Sequence, residues 1–297
     1  MSRSFDREEE PPNGSSILEG LSRSGAEKRT RVEVAPDSPS WVGENGSERI
    51  LWRDREFRVR PSQWELLETL GTFRVVREVD LVKGVFREDA SLAAADFRSL
   101  RQQGLIRSIT FQRLGNSPTR VHTLSGSGHG FLTDLRKEPQ LYYFGFVKPA
   151  EIAHDSLLYR AFLRERDHLH SGGYAVKRIV LDVQLKRLHF ARVNKPQGRE
   201  SYRKMQEESA RELHLPIVDG HVVFPDFRLE CEDERGDLAR VDVEVATENY
   251  RGKHLAAKAQ AGFRVYGSTD LGGARVQSGT PLKGHAFPQE TRMVIPL

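Results

Sequence analysis

The chain has 297 residues, 30% of them charged and 37% hydrophobic, with a net charge of +4. That length supports two domains of ordinary size, each with its own core. No window approaches the roughly 18 consecutive apolar residues of a membrane helix, and one cysteine, Cys231, excludes an internal disulfide and fits a reducing cytoplasm.

Residues 1–49 are rich in Ser, Gly, Glu, Arg and Pro, and read as a disordered arm that buries too little apolar surface to offset chain entropy. The opening MSRSFDREEEPP has no apolar run of the kind a signal peptide needs. Folded structure is expected from about Ile50. Ser62 and Glu65 form a capping-box pattern, and Trp64, Leu67 and Leu70 recur at helical spacing, which predicts a helix over 62–71. Val79, Val82, Val85 and Phe86 suggest a shorter second helix. Asp89 caps a third, with Ala93, Phe97 and Leu100 as its buried face and Gly104 as its left-handed stop.

Alternation over 105–111, a turn at Gly115-Asn116-Ser117-Pro118 and a return over 120–124 predict a hairpin. Three short helices and a hairpin within 50–137 make the winged-helix order. In such modules the last helix enters the major groove and the wing lies along the backbone. Arg98, Arg101, Gln102 and Gln103 stand opposite the apolar face of the third helix, and Arg107, Gln112, Arg113 and Arg120 stand on the wing. The candidate DNA contacts are Arg98, Arg101, Gln102, Arg107, Arg113 and Arg120, with double-stranded DNA as the partner. A winged helix used for protein contact is the alternative.

Beyond a connector over 131–150, a helix is expected over 156–168 and a strand or hairpin over 175–190. The charged helix former 199–213 follows. Strands are expected over 221–224, 226–230 and 240–246, then a helix over 254–266 and an irregular tail. His168 and His170 at a helix end read as exposed, and Cys231 as a buried strand residue. No zinc motif or P-loop is present. Within 220–266, Glu244 stands among Val241, Val243 and Val245, where a carboxylate is costly unless paired or holding a metal. Asp242 shares its face of the strand. Asp226 and Glu244, on neighbouring strands, are positioned to share one Mg²⁺.

These pieces resemble the PD-(D/E)xK nuclease superfamily and, more narrowly, the replication-relaxation family of plasmid and mobile-element proteins. The matching residues are His122-Thr123-Leu124-Ser125 with Gly128, Ala153-His154-Asp155, Pro225-Asp226, Val243-Glu244-Val245 with Thr247, and Lys258 and Tyr266 on the last helix, spanning about 55–267. The resemblance implies an α+β chain. A winged helix (50–137) is followed by a nuclease-like α-β-β-β-α-β domain (138–297), with Asp226 and Glu244 as metal-binding acids. Ala246 stands where that superfamily has its lysine. Lys258 is the first candidate to replace it as the third catalytic residue, and Lys253 the second.

The function so implied is a cytoplasmic DNA-binding protein of a mobile element, acting in replication initiation, relaxation or mobilisation with a degenerate nuclease-like domain. Self-association or other replication and mobilisation proteins are its expected protein partners. An active Mg²⁺-dependent endonuclease and a winged-helix transcriptional regulator are the alternatives.

Overall fold

Two short strands that the sequence pattern did not announce open the described residues. The computed structural model describes residues 46–112, 118–136, 140–146, 148–193, 198–246 and 252–267, so most of the expected arm, the turn at 115–117 and the tail lie outside the described residues. Strands β1 (Glu48–Trp52) and β2 (Arg55–Val59) pair antiparallel. Their turn residues Arg53 and Asp54 both have positive φ, 50° and 59°, as a two-residue type I′ turn requires. With neither Asn nor Gly there, the usual hairpin signal is missing. Trp52 and Phe57 are buried against Phe131, at ring distances of 5.6 and 4.9 Å.

Helix α1 (Pro61–Phe73) starts on a proline at its first position. The expected pairing of Ser62 with Glu65 does not form, because the helix begins earlier. Gln63 is the N3 residue, and its Oε1 accepts from Arg60 N at 3.0 Å. Ser62 Oγ instead donates to Asp96 Oδ2 at 2.6 Å, and the buried Asp96 also accepts from Gln63 Nε2 (2.9 Å) and the Arg60 guanidinium. A buried carboxylate so satisfied ties α1 to the third helix.

Strand β3 (Val76–Arg77), α2 (Glu78–Gly84) and α3 (Ala90–Gln102) follow. Asp89 caps α3 by accepting from Leu92 N at 2.9 Å, and Gly104 ends the segment at φ 76°. Strands β4 (Ile106–Phe111) and β5 (Thr119–Leu124) form the hairpin, and the sheet order is β3-β5-β4. This is the winged-helix arrangement the sequence predicted.

The connector expected over 131–150 is partly helical: α4 covers Gly126–Leu135. Ser125 caps it by accepting from Gly128 N at 2.9 Å. A Cβ at Gly128 would lie 1.9 Å from Leu105 O, so only glycine lets α4 approach the backbone just before β4 this closely. Ser125 and Gly128, two residues of the first matched motif, therefore have structural roles here.

In the second half, α5 (Pro149–Ser171) is longer than the 156–168 expected. Strand β6 (Tyr174–Leu181) gives way to α6 (Asp182–Val193), where the alternation had suggested more strand. Leu185 and His189 are buried one helical turn apart, but the exposed Val183 and Phe190 blur that stripe in the sequence. After α7 (Arg199–Glu212), β7 (Ile217–Val218) and β8 (His221–Val222) come β9 (Phe227–Asp233) and β10 (Leu238–Ala246).

The helix expected over 254–266 is shorter. Helix α8 covers Gly252–Gln260, and β11 covers Arg264–Gly267. Tyr266 is therefore on a strand, opposite Val245 in a parallel ladder. The four-stranded sheet runs β11-β10-β9-β6, with β9 antiparallel to both neighbours. Without the α6-to-β8 insertion the order is α-β-β-β-α-β, as the resemblance implied.

One buried cluster runs from Trp52 to Tyr266 through both halves. Phe73 of α1 packs on Tyr159 and Phe162 of α5, each at 5.1 Å, and meets Phe227 of β9 edge-on at 6.4 Å. Cys231 is fully buried on β9, and burial pushes its thiol up to about 12, which leaves it unreactive. His168 and His170 are exposed. Among the described residues, no helix is long and apolar enough to cross a membrane.

Candidate functional site

Ala93, Phe97 and Leu100 turn one face of α3 into the core. The opposite face therefore presents Arg98, Arg101 and Gln102, all exposed and neighbours at i, i+3 and i+4. Gln103 does not join them. Its amide is bound to the backbone of β2, donating to Arg58 O and accepting from Arg58 N, both at 2.9 Å.

Arg120 shares an acidic neighbour with Arg101 of α3. Its Nη1 is 3.7 Å from Glu78 Oε2, and the charges of Arg120 and Arg101 both act on Glu78 and its partner His122. His122 is buried, stacked on Phe97 at 4.3 Å, and 2.8 Å from both Ser108 Oγ and Glu78 Oε2. Burial holds its imidazole below the usual histidine range against the opposing pull of Glu78. A neutral ring then donates from Nε2 to Glu78 and accepts at Nδ1 from Ser108.

Arg107 is exposed but stands apart from this group. It pairs with Thr123 in register, whereas Arg120 pairs with Thr110, and strand alternation puts these two arginines on opposite faces of the hairpin. Its guanidinium lies 6.0 Å over Phe146. Arg113 lies outside the described residues.

The second set of candidates gathers at one end of β9 and β10. Asp226 is fixed by its backbone, donating from N to Val243 O at 3.0 Å. Its Oδ2 accepts from Val245 N at 2.7 Å and from His154 Nε2 at 3.2 Å. His154, on α5, also places Nδ1 3.2 Å from Asp155 Oδ1. Burial opposes the charged imidazole, but hydrogen bonds to Asp155 and Asp226 and their negative charges outweigh it and raise His154 to about 10. The ring is an imidazolium at neutral pH.

Glu244 is completely buried, and its Oε2 accepts from Lys258 Nζ at 2.9 Å. Lys258 also donates to Phe224 O, two residues before Asp226. Helix α8 thus aims the ammonium of Lys258 at the second acid, although Ala246 occupies the position two residues beyond Glu244. Asp242, on the face of Glu244, is held by a bidentate Arg228 at 2.7 and 2.8 Å.

Each acid of the implied metal pair thus carries a cation supplied by the chain. Among the described residues, no three His, Cys, Asp or Glu side chains come together as a metal-ligand set. As placed, the donor set does not fit a divalent ion, which would have to displace an imidazolium and an ammonium first. The sequence reading of Lys253 concerns a side chain outside those described.

His154 entered the sequence reading only as part of a matched motif, since nothing local shows that α5 will bring it to Asp226. Glu165 and Arg228 were missed altogether. Glu165 is buried on α5 and accepts from Tyr266 Oη at 2.5 Å, which explains the buried tyrosine of β11.

The His154 shift has a testable sign. A histidine raised from 6.5 to about 10 on folding stabilises the fold fully below about pH 6.5 and loses that contribution as pH rises through its folded value. Melting temperatures of the wild type and His154→Gln, measured between pH 6.5 and 10, should converge with rising pH. A constant difference counts against the paired imidazolium.

No family model matches the chain, and no curated protein matches it. Among solved structures, the crystal structure of Bacillus subtilis PadR in complex with operator DNA is similar at 16% identity, covering 52% of this chain and 95% of that one, with a TM-score of 0.21.

Proposed function

We propose that the protein binds double-stranded DNA through its winged helix, with α3 in the major groove and the β4–β5 hairpin along the backbone. The observation that carries this reading is the exposed face Arg98–Arg101–Gln102 of α3, with Arg120 of the hairpin 3.7 Å from Glu78, on which the charge of Arg101 also acts. Arginines on one helix face can reach base edges and phosphates at once. The resemblance extends the reading to replication initiation, relaxation or mobilisation on a plasmid or other mobile element, with a degenerate nuclease-like second half.

Fluorescence anisotropy on a labelled duplex tests it. Neutralising about four phosphates predicts a loss of roughly 100-fold in affinity between 50 and 200 mM salt. Absent or salt-insensitive binding refutes the reading.

A second reading, a metal-dependent endonuclease, has an ammonium at Glu244 despite Ala246, but that same contact occupies the acid that would hold the metal. Supercoiled plasmid with Mg²⁺ or Mn²⁺ separates the two. Acids already paired within the chain predict slow nicking at most, and Asp226→Ala should leave DNA binding intact. Rapid cleavage that vanishes in both Asp226→Ala and Lys258→Ala would establish the enzyme.

A further inference from the structure

Two side chains of the hairpin reach for one carboxylate oxygen. Glu78 opens α2, and its Oε2 lies 2.8 Å from His122 Nε2 and 3.7 Å from Arg120 Nη1. His122 and Arg120 stand two apart on β5, so strand alternation puts both on one face.

The two contacts differ in kind. His122 is fully buried, and its hydrogen bond to Glu78 is short. The Arg120 side chain is 52% exposed and that of Glu78 34%. An ion pair so open to solvent contributes little to stability and is easily exchanged.

Each element packed on His122 supplies a defined neighbour. From α3 come the stacked ring of Phe97 and Arg101, whose charge acts on both Glu78 and His122 and whose Nε donates to Phe97 O at 3.2 Å. Strand β4 brings Ser108 Oγ to Nδ1 at 2.8 Å, and β3 sets Val76 opposite His122 in register. Asp80, the other acid in the first turn of α2, is bound by Arg160 at 2.7 Å.

A neutral His122 donates one hydrogen bond to Oε2 and leaves the carboxylate charge to Arg120. A proton from solvent adds at Nδ1 and makes the ring an imidazolium. Ser108 then only turns its hydroxyl from donor to acceptor. The buried imidazolium at 2.8 Å pairs with Oε2 more strongly than the exposed guanidinium at 3.7 Å. A phosphate at Arg120 favours the same state, because it draws Arg120 away and adds negative charge near the ring.

We propose that Glu78 is a positioning residue for DNA binding, whose Oε2 holds Arg120 back from the phosphate backbone until His122 takes up a proton and claims that oxygen. DNA and proton then strengthen each other's binding, as linkage requires. The proposal rests on the DNA-binding reading and adds its regulation by pH.

The test uses the full chain and a labelled duplex, with anisotropy measured at pH 8 and pH 6. The variants are Glu78→Gln, which keeps an acceptor for His122 but removes the charge, Arg120→Ala, and the two combined. Circular dichroism checks that all three fold. In the free proteins, the His122 ring is titrated by NMR.

Glu78→Gln should bind duplex about three-fold tighter than the wild type at pH 8, the scale of an exposed ion pair. That gain should vanish in the Arg120→Ala background, which a merely structural role for Glu78 would not produce. The wild type should approach Glu78→Gln at pH 6, while the other histidines affect both proteins alike. In the free protein, Arg120→Ala should raise the His122 midpoint and Glu78→Gln should lower it. The proposal is overturned if Glu78→Gln binds no tighter, if its gain survives without Arg120, if the gain is the same at both pH values, or if Arg120→Ala leaves the His122 midpoint unchanged. A wild type that binds no duplex refutes the DNA reading, and the NMR titration then decides by itself whether Arg120 and His122 share the oxygen.

Discussion

Replacing Arg98 and Arg101 together with alanine should weaken duplex binding by about 100-fold while leaving the melting temperature nearly unchanged. Each arginine in reach of a base edge or phosphate contributes about 1–3 kcal/mol, and about 1.4 kcal/mol from each already gives that factor. Both side chains are exposed, so their removal opens no cavity, and substitutions of this kind usually stay within about 0.5 kcal/mol of stability. Gln102→Ala should act differently, relaxing sequence preference more than it lowers affinity for random duplex. Anisotropy with a preferred and a scrambled duplex measures both effects. Undiminished binding by the double arginine variant would remove α3 from the interface.

Lys258→Met should destabilise the second half by about 3–5 kcal/mol, the usual cost of removing one member of a buried ion pair. Glu244 is fully buried and Lys258 nearly so, with 16% of the side chain exposed. The pair is therefore little screened by solvent, unlike a surface ion pair. For a fold of this size such a loss corresponds to roughly 10 °C in melting temperature. The double variant Lys258→Met, Glu244→Met should recover most of it, because replacing both partners with apolar groups removes the uncompensated charge. A Lys258→Met protein as stable as the wild type would show that the contact contributes little to the fold. The same variants in the plasmid-nicking assay report on chemistry separately from stability.

Much of the first half was legible in the sequence because its signals are local. Asp89 and Gly104 bound α3 by chemistry acting within four residues of each, and the period-2 pattern around the β4–β5 turn needs only neighbouring residues to be read. The β1–β2 hairpin was not legible, because its turn uses Arg53 and Asp54 at positive φ without glycine. Its stability comes from Trp52 and Phe57 docking on Phe131, more than 70 residues away. Helix α6 was misread as strand because two exposed apolar residues interrupt its buried stripe. Tyr266 was misplaced on a helix because a four-residue strand is too short to show a period of its own.

At the candidate site, the sequence by itself determined that Glu244 needs a partner, since a carboxylate among valines cannot remain buried and unpaired. The resemblance pointed to Lys258 as the replacement for the lysine missing at Ala246. Only the tertiary structure decided that α8 carries that ammonium to Glu244, that α5 brings His154 to Asp226, and that Arg107 faces away from the α3 arginines. Strand and helix periodicity fix which side of its own element a residue occupies, whereas partnership across elements depends on how those elements pack, and that is set by the shared core around Phe73, Tyr159 and Phe227.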